Sequence, residues 1–447
     1  MGTSYRFSGL KNRGFLISSA FSWDCMIGAV DIVDRDYPLI SWVAPFYNKA
    51  PDCLWNWIRE ELNKLDSEPL KTIEKLEGMD SALGLKTLDA GLEDYYRLSP
   101  DQLDERITAA KTRLADRMLL LGHNYQRDEV YKFADYTGDS LRLSQYAAQR
   151  RDKEYIVFCG VKFMAETADI LTQPEQKVIL PDLAAGCSMA DMADIDAVET
   201  AWQEITDVIP ESTTTPITYI NSAADLKAFC GERGGLVCTS TNAEKIIRWA
   251  FERREKILFF PDQHLGRNTC KRMGIPLNEM VLWDPAKPNG GNSSEAIRKA
   301  RVFLWQGFCS VHQMFQPQHV ELFRKQYPGI KVIVHPECSM EVADRSDLIG
   351  STEYIIRTVT AAPAGSRWAV GTELNLVNRL KRDNPDKEVY FLSPMVCMCS
   401  TMFRIDAPHL LWSLERLEAG SIVNQIVVPE ADRYWAKVAL ERMLQLA

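Results

Sequence analysis

The sequence has no apolar run long enough to cross a membrane, which takes about 18 consecutive apolar residues. Of its 447 residues, 46% are hydrophobic and 25% are charged, as in an ordinary globular protein with a large core. The stretch "RGFLISSAFSWDCMIGAVDIV" is the best signal-peptide candidate, but Asp24 and Asp31 interrupt it and no cleavage site of small residues follows. We therefore expect a cytoplasmic protein that makes no contact with a membrane.

Positive charge, histidine and clustered cysteine are also scarce. The net charge of −9 and the lack of basic runs argue against a nucleic-acid partner. The six histidines form neither His-x-His nor His-Glu-x-x-His, so no histidine metal site is predicted. Eleven cysteines are too sparse for a disulfide scaffold, and an odd number suits a reducing compartment.

Most of the cysteines are expected to be small core residues. This interpretation applies to Cys25, Cys53, Cys159, Cys230, Cys238 and Cys270. The stretch "SPMVCMCSTM" is different because Cys397 and Cys399 are one residue apart, which suits neither a zinc knuckle nor a redox C-x-x-C pair.

From about residue 116 onward, short β-branched runs alternate with amphipathic helical stretches, a pattern typical of parallel α/β sheets. It occurs three times. The first strands are "MLLLGH", "PITYINS" and "KVIVHPE"; the second are "YIVFCG", "GLVCTS" and "DLIGST"; the third, each ending in an acid, are "KVILPD", "KILFFPD" and "RWAVGTE". We predict three similar αβα domains with parallel sheets around a pseudo-threefold axis and an active site at their central interface. The predicted boundaries are 101–205, 206–328 and 329–447, the last including C-terminal helices, after an extension of unknown role at 1–100.

Ligands of parallel sheets bind beyond the carboxyl ends of the strands. The loops there contain His123 and Tyr125, Tyr219 and Asn221, and His335 and Glu337, while Ser140, Ser240 and Thr352 stand near helix starts, where anions are favoured. Each hydroxyl residue taken singly could be a helix cap. Caps alone do not explain histidines and tyrosines in corresponding loops.

Cysteines also follow late strands of the repeats, at Cys187, at Cys309 and in the stretch that contains Cys397 and Cys399. Three thiolates that converge from separate sheets could bind a [4Fe–4S] cluster and leave one iron free to act as a Lewis acid. Spacing alone leaves the choice of cysteines open, because Cys338 and Cys397 are competitors.

Eleven short motifs of the chain, in order, resemble those of the quinolinate synthase family. The resemblance covers the region from about residue 116 to 447, and the motifs read "GHNYQRDEV", "TGDSL", "GVKFMAETA", "PDLAAGCSMAD", "TYINSAA", "CTSTNA", "FFPDQHLGRN", "WQGFCSVH", "VHPE", "GSTEYII" and "CSTMFRI". The resemblance implies a [4Fe–4S] cluster bound by Cys187, Cys309 and Cys399, one from each domain. It leaves Cys397 and Cys338 as neighbours rather than ligands.

The same resemblance implies a reaction. The family condenses iminosuccinate, supplied by L-aspartate oxidase, with dihydroxyacetone phosphate to give quinolinate in de novo NAD biosynthesis. It implies Glu337 as the base, Tyr125 as a proton donor or shuttle and His335 as a further catalytic residue. The implied substrate-binding residues are His123, Ser140, Tyr219, Asn221, Ser240, His335, Pro336, Glu337 and Thr352. His264 is left out because a structural role is as plausible.

Three alternatives remain at this point. One is another [4Fe–4S] hydro-lyase that acts on a different small carboxylic acid. A second is an electron carrier or cluster scaffold, although carriers usually cluster four cysteines along the chain. A third is an α/β anion-binding protein without a metal, whose cysteines are core residues.

Overall fold

Three β-sheets form the framework of the structure, a computed structural model that describes residues 91–395 and 398–446. The expectations for the first 90 residues, including the core positions of Cys25 and Cys53, and those for Cys397 lie outside the described residues. Within the described part of the chain, every helix is too short or too polar to cross a lipid bilayer.

The first sheet has the strand order β14-β4-β3-β1-β2. Its strands are β1 (Met118–His123), β2 (Tyr136–Gly138), β3 (Tyr155–Cys159), β4 (Lys177–Ile179) and β14 (Gln425–Ile426). All of these neighbours are parallel except β14, which pairs antiparallel with β4. Strands β1 and β3 are buried along their whole length, as expected for central strands covered on both faces.

The second sheet has the order β6-β5-β7-β9-β8 and is wholly parallel. Its strands are β5 (Thr214–Tyr219), β6 (Leu236–Cys238), β7 (Lys256–Phe260), β8 (Met280–Trp283) and β9 (Val302–Trp305).

The third sheet has the order β11-β10-β12-β13 and is also parallel. Its strands are β10 (Lys331–Val334), β11 (Leu348–Ile349), β12 (Arg367–Gly371) and β13 (Glu388–Phe391).

The helices pack around these sheets. Their bounds are Glu93–Tyr96, Pro100–Leu114, Asp128–Tyr131, Ser140–Gln149, Lys162–Leu171, Ile195–Thr206, Ala224–Glu232, Ala243–Phe251, Gln263–Arg272, Ser294–Lys299, Ser310–Gln313, Pro317–Gln326, Met340–Arg345, Thr352–Ala361, Leu374–Asp383, Ala407–Glu418 and Glu430–Gln445. Local sequence explains many of the starts. The helix Pro100–Leu114 begins with proline after Ser99, which forms a capping box with Gln102.

The α/β prediction with parallel sheets is confirmed, but the first repeat was aligned one strand out of step. In all three sheets the first strand lies between a short edge strand and a central strand, as in β2-β1-β3, β6-β5-β7 and β11-β10-β12. "YIVFC" is therefore the counterpart of "KILFF" and "RWAVG", and the short strand β2 is the counterpart of β6 and β11. The pseudo-threefold arrangement and the domain boundaries stay predictions.

The C-terminal segment reaches back to the first two sheets. Strand β14 extends the first sheet, and the helix Glu430–Gln445 packs closely on the helix Ala224–Glu232. A Cβ atom on Gly231 would lie 2.0 Å from the carbonyl oxygen of Trp435, so only glycine permits this approach. The first two sheets share one continuous hydrophobic core, whereas the third has two separate clusters.

Candidate active site

A cavity lies where loops from the carboxyl ends of strands in all three sheets meet. Its volume, including solvent at the mouth, is about 680 Å³, within the range of small-molecule sites. Every site residue predicted from the sequence lines it except Pro336. The carbonyl oxygen of Pro336 instead accepts a hydrogen bond of 2.9 Å from the side chain of Asn268.

The first strands of the sheets position the titratable side chains. His123 ends β1, Tyr219 ends β5, and His335 follows β10. The backbone N–H of Tyr125 donates to Nδ1 of His123 at 3.2 Å, and that of Glu337 donates to Nδ1 of His335 at 3.4 Å. In both neutral rings the proton is therefore on Nε2, so each imidazole is a hydrogen-bond donor.

Both imidazoles are neutral near pH 7. Burial lowers the pKa of His123 to about 3, and the charge of Arg379 acts in the same direction. Burial also lowers the pKa of His335 to about 3, although Glu337 opposes the shift. Each ring can therefore donate a hydrogen bond to an anionic ligand without adding a positive charge to the cavity.

Hydroxyl and amide groups form a second part of the wall, near helix starts. Ser140 and Thr352 are the first residues of their helices, and the caps are the preceding residues Asp139 and Ser351, so the capping interpretation fails for both. The buried Oγ1 of Thr352 and Oδ1 of Asn221 have no hydrogen-bond partner in the protein. Since buried polar atoms are almost always paired, these two atoms are suited to a ligand.

The three predicted cysteine ligands come from three sheets. All three are free thiols at the cavity wall. Cys187 follows β4, Cys309 follows β9 and Cys399 follows β13. These strands are the neighbours of the corresponding strands β3, β7 and β12. Burial and the neighbouring thiol Cys399 raise the pKa of Cys187 to about 12, and burial also raises the pKa of Cys309 and Cys399. Three free thiols at one wall suit a cationic iron centre, which binds cysteines as thiolates.

The structure describes five further cysteines, and four of them have the predicted core position. Cys159, Cys230, Cys238 and Cys270 are buried core residues. Cys338 is buried and does not line the cavity; its sulfur lies 3.7 Å from the carbonyl oxygen of Gly371.

Glu337 is buried at the cavity wall and lies between polar partners. Its Oε1 accepts from the hydroxyl of Tyr219 at 2.7 Å, and its Oε2 lies 2.8 Å from Nδ1 of His312. Burial opposes its charge, but His335, His312 and these hydrogen bonds outweigh burial and lower the pKa of Glu337 to about 2. Glu337 is therefore a carboxylate near pH 7.

The two tyrosines at the cavity keep their protons. Burial and the charge of Glu337 raise the pKa of both Tyr125 and Tyr219 well above the usual value. The cavity thus combines an ionised carboxylate with neutral phenols and imidazoles, the groups needed to take a proton at one atom and give one at another.

Comparison with known proteins decides the family. The model described as "Quinolinate synthetase A protein" matches residues 105–445. The chain belongs to the quinolinate synthase family. It is 55% identical over 370 residues to the quinolinate synthase of Nocardioides sp., a match that covers 80% of this chain and 94% of the relative. It is 55% identical to that of Acidobacterium capsulatum (82% and 100% covered) and 54% identical to that of Geobacillus sp. (81% and 98%).

Sequence reasoning missed His312, which lines the cavity of this quinolinate synthase family member. One ring nitrogen of His312, the sulfur of Cys309 and a carboxylate oxygen of Glu337 all lie within 4.8 Å of one another. The signal was present in "WQGFCSVH", where His312 follows the cysteine by three residues. His264 does not line the cavity, and its Nε2 lies 2.9 Å from Oε1 of Gln313.

Proposed function

We propose that this protein is a quinolinate synthase that condenses iminosuccinate with dihydroxyacetone phosphate, giving quinolinate, phosphate and water in NAD biosynthesis. The family assignment supports the reaction. The observation that supports it most directly is the single cavity that combines three thiols with the carboxylate of Glu337. The substrates are small molecules.

The proposed cofactor is a [4Fe–4S] cluster bound by Cys187, Cys309 and Cys399. When bound, such a cluster supplies a Lewis acid at the iron that has no cysteine ligand. The choice of these three cysteines as ligands is supported by the position of their free thiols at one wall of the cavity.

Proton transfer is assigned to three residues. Glu337 removes a proton from a substrate carbon, since it is ionised and buried at the cavity. Tyr125 donates a proton to a leaving oxygen, and its raised pKa keeps that proton available at neutral pH. His335 donates a hydrogen bond through Nε2 and holds the substrate beside Glu337.

Substrate binding is assigned to the remaining polar wall. Ser140, Ser240 and Thr352 stand at or near helix starts, where hydroxyls and free N–H groups favour a phosphate or carboxylate. His123, Tyr219 and Asn221 add donors and acceptors deeper in the wall. Pro336, which does not line the cavity, stays a predicted substrate-binding residue.

Supply by L-aspartate oxidase is part of this proposal, because iminosuccinate is unstable in water and must be made close to its use. The cytoplasmic location, the lack of nucleic-acid and membrane partners, and the domains 1–100, 101–205, 206–328 and 329–447 stay predictions.

Two measurements on anaerobically purified protein test the proposal. Iron and sulfide analysis should find one [4Fe–4S] cluster per chain, and iminosuccinate with dihydroxyacetone phosphate should yield quinolinate by chromatography. A protein with the cluster that makes no quinolinate but dehydrates another small acid would be the alternative hydro-lyase. A protein that makes quinolinate without iron would refute the cluster assignment.

A further inference from the structure

Thr372 joins two parts of the active site although it does not line the cavity. It directly follows β12 and is fully buried. Its hydroxyl lies 2.7 Å from the hydroxyl of Tyr125 and 3.3 Å from Nε2 of His312. His312 in turn contacts Glu337 through its other ring nitrogen. One hydroxyl therefore links the assigned proton donor to the assigned base.

The Thr372 hydroxyl can serve both contacts at once. A hydroxyl has one proton to donate and two lone pairs that accept, so it can bond to the hydroxyl of Tyr125 and to Nε2 of His312 together. In the contact with Tyr125, either hydroxyl can be the donor.

The surrounding contacts hold Thr372 in place. The next residue, Glu373, caps the helix Leu374–Asp383 by accepting from two backbone N–H groups of its first turn. From that helix, the side chain of Asn375 donates to the carbonyl oxygen of Tyr125 at 3.1 Å. The rings of His312 and His335 stack with centroids 4.5 Å apart. Neither Tyr125 nor His312 can therefore move far from the Thr372 hydroxyl.

We propose that Thr372 is a positioning residue: its hydroxyl holds the ring of His312 beside Glu337 and orients the hydroxyl of Tyr125. This inference rests on the proposed function. It predicts an effect on the chemical step, because the residue touches the groups that move protons and not the cavity itself.

The test compares Thr372→Val with Thr372→Ser in the cluster-loaded protein. Valine keeps the shape and removes the hydroxyl, so kcat for quinolinate formation should fall by about 10- to 100-fold, as when partners that orient an active group are lost. KM for either substrate should change by less than about threefold, since binding contacts are unchanged. Serine restores the hydroxyl and should restore kcat to within about threefold of wild type.

Thr269→Val is the matched control. Thr269 is another fully buried threonine, and its hydroxyl has no partner in the protein. This variant should keep wild-type kcat. Visible absorption and iron content should be unchanged in all three variants, which separates positioning from loss of the cluster.

Several outcomes would overturn the inference. These are wild-type kcat in Thr372→Val, a Thr372→Ser variant as slow as Thr372→Val, a rise in KM alone, or loss of iron. If Thr372→Val does not fold, Thr372→Ala can be compared with Thr372→Ser. These two side chains differ only by the hydroxyl oxygen, so the comparison again measures the effect of the hydroxyl on kcat. A wild-type protein that makes no quinolinate would refute the proposed function and this inference with it, whereas an active wild type with an equally active Thr372→Val refutes only the inference.

Discussion

Replacing Arg379 with methionine should destabilise the loop that contains His123 and Tyr125. Arg379 lies in the helix Leu374–Asp383, and its side chain is only 6% exposed. It donates to the carbonyl oxygens of Asn124 and Gln126 and to Asp128, and its Cζ lies 4.0 Å from the ring centroid of Tyr131. This one side chain ties the loop after β1 to the third sheet.

The magnitude follows from what the substitution leaves behind. Asn124 and Gln126 are buried residues, and each carbonyl left without a donor costs about 1–3 kcal/mol. Loss of the cation–π contact with Tyr131 adds about 0.5–1 kcal/mol. We expect a total of about 3–5 kcal/mol, similar to breaking other buried charged pairs. At about 2 °C per kcal/mol, Tm should fall by about 6–10 °C.

Arg382→Met is the matched control. Arg382 lies in the same helix and binds the other oxygen of Asp128, but its side chain is 58% exposed. Exposed ion pairs contribute about 0–1 kcal/mol, so Tm of this variant should change by less than about 2 °C. Both variants can be compared with wild type by circular dichroism at one scan rate. Equal shifts in the two variants would refute the argument that the buried carbonyls determine the cost.

Three further predictions concern the proposed centre. Serine at Cys187, Cys309 or Cys399 should each lower bound iron and visible absorption, measured anaerobically, because a ligand is lost; normal iron content would exclude that cysteine. Glu337→Gln should keep the cluster but lose quinolinate formation by about 100-fold or more, since an amide cannot act as a base; a wild-type rate would place the base elsewhere. Cys338→Ala should keep the cluster and lower the free energy of unfolding by about 1 kcal/mol, the cost of a small void; iron loss would make Cys338 a ligand.

Local sequence was sufficient to predict the strands that position the site. Central parallel strands are buried on both faces, so they read as short apolar runs followed by polar residues, as in "MLLLGHNY" and "KVIVHPE". Because the carboxyl ends of such strands share one edge of a sheet, the sequence predicts that the residues after them lie close together.

The misaligned repeat has a physical reason. Strand β2 has three residues, two of which are partly exposed, so it has no apolar run to distinguish it from a loop. For this reason the sequence pattern assigns the second position of the first repeat to the apolar strand β3. The two-residue strand β14 was missed for the same reason, and its antiparallel partner β4 lies far away in the chain.

The roles of His312 and Thr372 could not be read from local patterns. Thr372 is 60 residues from His312 and 247 residues from Tyr125, and only the packing of the third sheet against the first brings them together. Neither residue type in isolation indicates such a link, since buried threonines are common and a histidine near a cysteine has many possible roles.

The return of the C-terminal segment to the first two sheets bears on how the protein is made. A ribosome releases the N-terminal part of a chain first, and domains often fold as they emerge. Here the edge of β4 stays uncovered, and the helix Ala224–Glu232 stays without its partner, until residues 425–445 have been made. Of the three proposed ligands, Cys399 is made last. The proposed cluster therefore cannot bind all three ligands before translation has passed residue 399.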